Sequence, residues 1–144
     1  MNLSISNAIR VIALSWVVAV SFGALGAHFL KAHLTPDSLE SFQVGLRYHF
    51  YFNIASLLLI LIHSQLGIQR ISTVLKLMSI GTLLFSGSIY LLSTSSLTGL
   101  SVSFLGPVTP IGGLLLIISW FLLFMNVKSK STNEMQKKKT NSKY

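Results

Sequence analysis

Polar side chains able to do chemistry stand against long apolar runs in this sequence: His28, Arg47, Tyr48, His49, Asn53 and Tyr90. An imidazole can move a proton, a guanidinium can hold an anion, and phenols and amides donate and accept hydrogen bonds. Arg47 and Tyr51 are four residues apart, as are His49 and Asn53, so on a helix each pair shares a face. Metal chemistry is not expected, because His28 and His33 are five apart, which is not a usual helical chelate spacing. A nucleophile with a base would need an orienting carboxylate. The acids ahead of the C-terminal tail, Asp37 and Glu40, read instead as solvated helix-start residues. The chain has no cysteine, which excludes disulfides and thiolate catalysis. No Gly-rich phosphate loop or dinucleotide fingerprint is present, so no cofactor is expected.

The elements that must position these groups are four apolar runs: Val11–Leu30, Tyr48–Gly67, Ile71–Ser93 and Val108–Val127. Each is close to the ~20 helical residues that cross the hydrocarbon of a bilayer. The runs are unbroken rather than alternating, which favours helices over barrel strands. With 51% hydrophobic and 10% charged residues, the expected class is an all-α integral membrane bundle of four transmembrane helices. Residues 1–127 form that domain, and 128–144 read as a disordered basic tail. The first run is expected to be retained as a span, since it continues to Leu30 past any signal-peptide site near Gly23–Ala27.

Net charge is +8. Arg10, Arg70, Lys76 and the tail lysines Lys128, Lys130, Lys137, Lys138, Lys139 and Lys143 share one side of a four-span topology. Lys31 and Arg47 lie on the other. The positive-inside rule then places both termini in the cytoplasm. The tail suits anionic lipid head groups and not nucleic acid.

Between the first two runs, Thr35-Pro36-Asp37 reads as a helix start: capping hydroxyl, proline at the first helical position, acid in the first turn. Leu39, Phe42 and Leu46 then fall on one face. A short amphipathic interfacial helix is expected there, running through Gly45 into the second span. Small residues at Ser15, Ala19, Gly23 and Ala27, and at Gly87, Gly112 and Gly113, offer faces for close helix packing. By depth, His28, Arg47, Tyr48 and Asn53 should meet Tyr90 and the Gly106–Gly113 turn. Such a cluster either serves function or locks the bundle as a polar network.

The strings FGALGAHFLKAHL, FQVGLRYHFY, FSGSIYLL and GPVTPIGGLLLI, in this order, resemble a family of small four-helix membrane proteins of unknown function, called transmembrane protein 256-like in animals. The resemblance covers roughly Ile9–Asn126. It falls on Gly23, Gly26, Ala27 and His28, on Tyr48 and Tyr51, on Ser86, Gly87 and Tyr90, and on Gly106, Thr109, Pro110, Gly112 and Gly113. It implies a multi-pass protein of the bacterial cytoplasmic membrane and supplies no activity, substrate or cofactor. Relatives often carry histidine where this chain has Phe52, so a mechanism needing that imidazole would have to use His49 or Asn53. Two functions stay open. One is a structural, accessory or assembly protein that meets a membrane-protein partner or a second copy through its small-residue faces. The other is a small-solute or ion transporter using the polar cluster, although conduction normally places ionisable groups near the bilayer midplane.

Overall fold

A computed structural model describes residues 4–68 and 70–127. Four of its helices are long and apolar enough to cross a membrane. The basic tail, expected against anionic head groups, lies outside the described residues.

Helix α1 (Ile5–Leu25) starts where the Ser4 hydroxyl accepts the Asn7 N–H, and it continues through a π-helical turn over Gly26–Leu30 and a last α turn over Lys31–His33. Helix α2 (Pro36–Leu66) begins at the expected cap, with the Thr35 hydroxyl accepting the Ser38 N–H. The amphipathic stretch and the second span are one helix of 31 residues, roughly 46 Å long. Its Leu39, Phe42 and Leu46 join Leu30 and Tyr90 in an apolar cluster, so that face turns to the bundle. Gly67, at φ 59°, ends α2 in the left-handed conformation that glycine adopts without Cβ strain. Helices α3 (Ile71–Ser93) and α4 (Val108–Asn126) complete the bundle, joined by short helical turns at Ser95–Thr98 and Ser103–Leu105.

The closest seam is α3 against α4. A Cβ built on Gly112 would lie 2.4 Å from the Phe85 nitrogen, and one on Gly81 would lie 2.9 Å from Leu116 Cγ. Between hydrocarbon-embedded helices there is little hydrophobic drive, so backbone approach of this kind supplies the van der Waals contact. Gly45 does the same between α2 and α3, where an added Cβ would be 2.9 Å from Ile89 Cγ2.

On α1 the buried positions are Ala8, Ile12, Ala19, Gly26 and Leu30. They keep a near-heptad rhythm toward α2 and α3. The small-residue ladder at strict four-residue spacing cannot stay on that face. Each step of four advances about 400°, so Ala27 lies about 120° round from Ser15 and is exposed. Gly23 and Gly113 make only ordinary contacts, with an added Cβ 3.7 Å from Leu46 and 3.6 Å from Phe85. Gly87, expected at a helix contact, has open space before it: an added Cβ would meet only Leu83 of its own helix at 4.0 Å.

Two apolar clusters plug the bundle. Ala8, Leu59, Ile68, Val74, Leu75 and Met78 fill the end that carries the termini. Leu30, Phe42 and Tyr90, with Phe22 packed on them, fill the opposite end.

Candidate functional site

Between the two plugs, α1, α2 and α3 are tied by one hydrogen-bonded chain. The Ser15 hydroxyl donates to Asn53 Oδ1 at 2.8 Å and lies 2.7 Å from His49 Nε2. The other ring nitrogen, His49 Nδ1, lies 3.1 Å from the Tyr90 hydroxyl. A serine hydroxyl has one hydrogen, and here it goes to Asn53. His49 therefore donates through Nε2–H to Ser15 and accepts the Tyr90 O–H at Nδ1. Four side chains on three helices are joined in a single direction. The Tyr90 ring is held edge-on by Phe22, with centroids 4.7 Å apart, and packs on Phe42 at 4.9 Å.

Beside this chain lies a cavity of about 640 Å³ whose wall is almost wholly apolar. Its floor includes Ser15, His49, Asn53, Ser86 and Tyr90. Its rim is made by Leu14 and Val18 of α1 and by Ile80 and Leu83 of α3. These rim side chains turn outward: Leu14 is 67% and Leu83 71% exposed. The opening is thus a slit between α1 and α3, on the side that would face lipid. Gly87 borders it, which is why nothing packs against that glycine. Along α3 the slot runs from Ser79 to Leu91, roughly 18 Å. No Asp, Glu, Lys or Arg lines it. Two polar atoms at this site have no hydrogen-bond partner: Asn53 Nδ2 and Ser86 Oγ. An unsatisfied buried polar atom costs about 1–3 kcal/mol, so such a pair asks for a reason.

The structure brings His49, Asn53 and Tyr90 together and leaves three other expected members outside. His28 is exposed on the π-helical turn, and Arg47 is exposed on α2. Helix geometry explains both. Each is two residues, about 200°, from a buried neighbour, Gly26 and His49 respectively, and so points away. Tyr48, about 100° from His49, packs edge-on against Phe85 on another flank, with centroids 5.2 Å apart. The Gly106–Gly113 turn does not reach the cluster either. Thr109 bonds the Ser88 hydroxyl at 2.7 Å, and Ser88 is two residues from Tyr90, on the far face of α3. Among the described residues no three His, Cys, Asp or Glu are grouped to hold a metal.

Ser15 is more than a packing residue, because it bridges His49 and Asn53. Its signal in the sequence is a hydroxyl in an otherwise apolar run. Gly45 and Gly81 also escaped the reading of small-residue faces, although an isolated glycine inside a helical pattern marks close approach.

Comparison with known proteins finds relatives that are membrane proteins. The family model described as "Protein of unknown function (DUF423)" matches residues 22–113. The UPF0382 membrane protein YwdK of Bacillus subtilis is 36% identical over 112 residues, covering 77% of this chain and 87% of the relative. A UPF0382 membrane protein of Staphylococcus aureus is 35% identical, covering 78% and 88%. One from Haemophilus influenzae is 34% identical over 125 residues, covering 85% and 95%. No solved structure matches the chain. The matched residues include His49, Asn53 and Tyr90 of the cluster and the Gly112 seam, and the chain belongs to this family of membrane proteins of unknown function.

Proposed function

We propose that this protein is an accessory component of the bacterial cytoplasmic membrane, with both termini cytoplasmic, that binds a membrane-soluble molecule in the slot between α1, α2 and α3. The observation that carries this reading is the shape of the slot. It opens sideways between α1 and α3, and an apolar cluster fills the bundle at each end. A largely apolar pocket with a few convergent polar groups is the usual form of a small-molecule site. A conduit would want a polar route along the bundle axis and ionisable groups on it, and no charged side chain lines this slot. The exposed apolar faces of the bundle leave room for a membrane-protein partner or a second copy to use the same protein as a platform.

Gly87→Leu tests this. The added side chain has space to occupy and enters the slot without meeting backbone. Purified in mild detergent, the wild-type protein is expected to carry a bound small molecule that extraction and mass spectrometry identify. Gly87→Leu should be equally monodisperse and carry at least about tenfold less, as expected when a side chain fills a fitted pocket. Equal loading of both proteins would defeat the proposal.

A further inference from the structure

We infer that the slot selects an uncharged lipid whose head presents carbonyl oxygens near Asn53 and Ser86 and whose tail leaves between α1 and α3; this rests on the binding role proposed above. Two observations point there. Asn53 Nδ2 and Ser86 Oγ are donors without partners, on residues 5% and 1% exposed that both line the slot. Their residues stand in the wall of an apolar slot roughly 18 Å long, which suits an aliphatic or isoprenoid chain, and the two donor atoms are covered until a side chain turns toward an occupant. A serine hydroxyl has other staggered positions from which to meet an acceptor. An acceptor on the ligand would satisfy groups that the protein leaves unpaired.

Depth and charge exclude other heads. Helix α3 has 23 residues, close to the thickness of the hydrocarbon, so its middle, Thr82, lies near the bilayer centre. Ser86 is four residues, about 6 Å, beyond it. A phosphate or carboxylate drawn to that depth would lose its hydration and find no Lys or Arg in the slot to replace it. A carbonyl loses far less. Quinones and diacylglycerols share this chemistry, a neutral carbonyl head on an apolar tail.

The full chain in detergent is titrated with decylubiquinone and dioctanoylglycerol, and with dioctanoyl phosphatidylglycerol and decanoate as charged counterparts. Binding is read by native mass spectrometry. One neutral probe is expected to bind at least about tenfold more tightly than either charged one, and which of the two does so tells quinone from glyceride. Ser86→Ala removes a hydroxyl that bonds no protein group, so the fold should persist while affinity for the favoured probe falls about three- to tenfold. Gly87→Leu should abolish binding.

The inference is overturned if charged probes bind as well as neutral ones, if neither neutral probe binds, or if Ser86→Ala changes nothing. Where Gly87→Leu still lowers the load of co-purified small molecule, the slot remains a binding site and only its selectivity is lost. Where Gly87→Leu carries the same load as the wild type, the binding role itself fails.

Discussion

At the scale of single residues, position on the helix wheel decides which polar groups matter. His49 and Arg47 are two residues apart, yet one is buried in a network across three helices and the other is exposed. Tyr90→Phe keeps the ring contacts with Phe22 and Phe42 and removes only the hydroxyl that reaches His49. The loss leaves His49 Nδ1 without its partner. Thermal unfolding in detergent should show a destabilisation of roughly 1 kcal/mol. Arg47→Ala should leave the same unfolding curve where it is, within about 0.5 kcal/mol. An equal effect of both substitutions would mean that the hydrogen-bonded chain does not hold the helices.

At the scale of helices, two glycines on neighbouring elements behave in opposite ways. Gly112 lets α4 touch the backbone of α3, and Gly87 borders open space. Gly112→Ala would place a methyl 2.4 Å from the Phe85 nitrogen, and a backbone atom cannot swing aside as a side chain can. The helices must separate, with a cost at or above the upper end of the ~1–3 kcal/mol typical of overpacking. Size-exclusion chromatography in detergent should show aggregated or poorly recovered protein. Gly87→Ala should run like the wild type. Both glycines lie in runs that read equally well as packing faces; telling them apart needs the neighbouring helix, which the sequence does not place. The same holds for α1. Its ladder of small residues was legible, but the drift of 3.6 residues per turn moves Ala27 off the face that Gly26 and Leu30 occupy.

At the scale of the whole molecule, the distribution of charge makes a topological prediction. Cysteine is absent from the chain, so single cysteines can be introduced and labelled without background. Thr98→Cys, in the uncharged turn between α3 and α4, should react with a membrane-impermeant maleimide in intact cells. Ser4→Cys and Asn126→Cys, at the other end of the bundle, should react only after the membrane is opened. The reverse pattern would invert the protein and set the arginine and lysine distribution against the positive-inside rule.

The sequence alone determined the class of this protein. Long unbroken apolar runs cannot be hidden in a water-soluble fold of 144 residues, and a backbone in lipid must bond to itself, so four helices follow from hydropathy and length. The start of α2 was equally local, because Thr35, Pro36 and Asp37 act on the first turn that they adjoin. The pairing of His49 with Asn53 also came from spacing within one helix. What only the tertiary structure decided is which helix each face meets. Ser15 reaches α2, Tyr90 reaches His49, and no neighbouring helix fills the space before Gly87. Those outcomes depend on how whole helices are placed against one another. These are set by the sum of many small packing contacts between residues far apart in the chain, and no short stretch of sequence contains them.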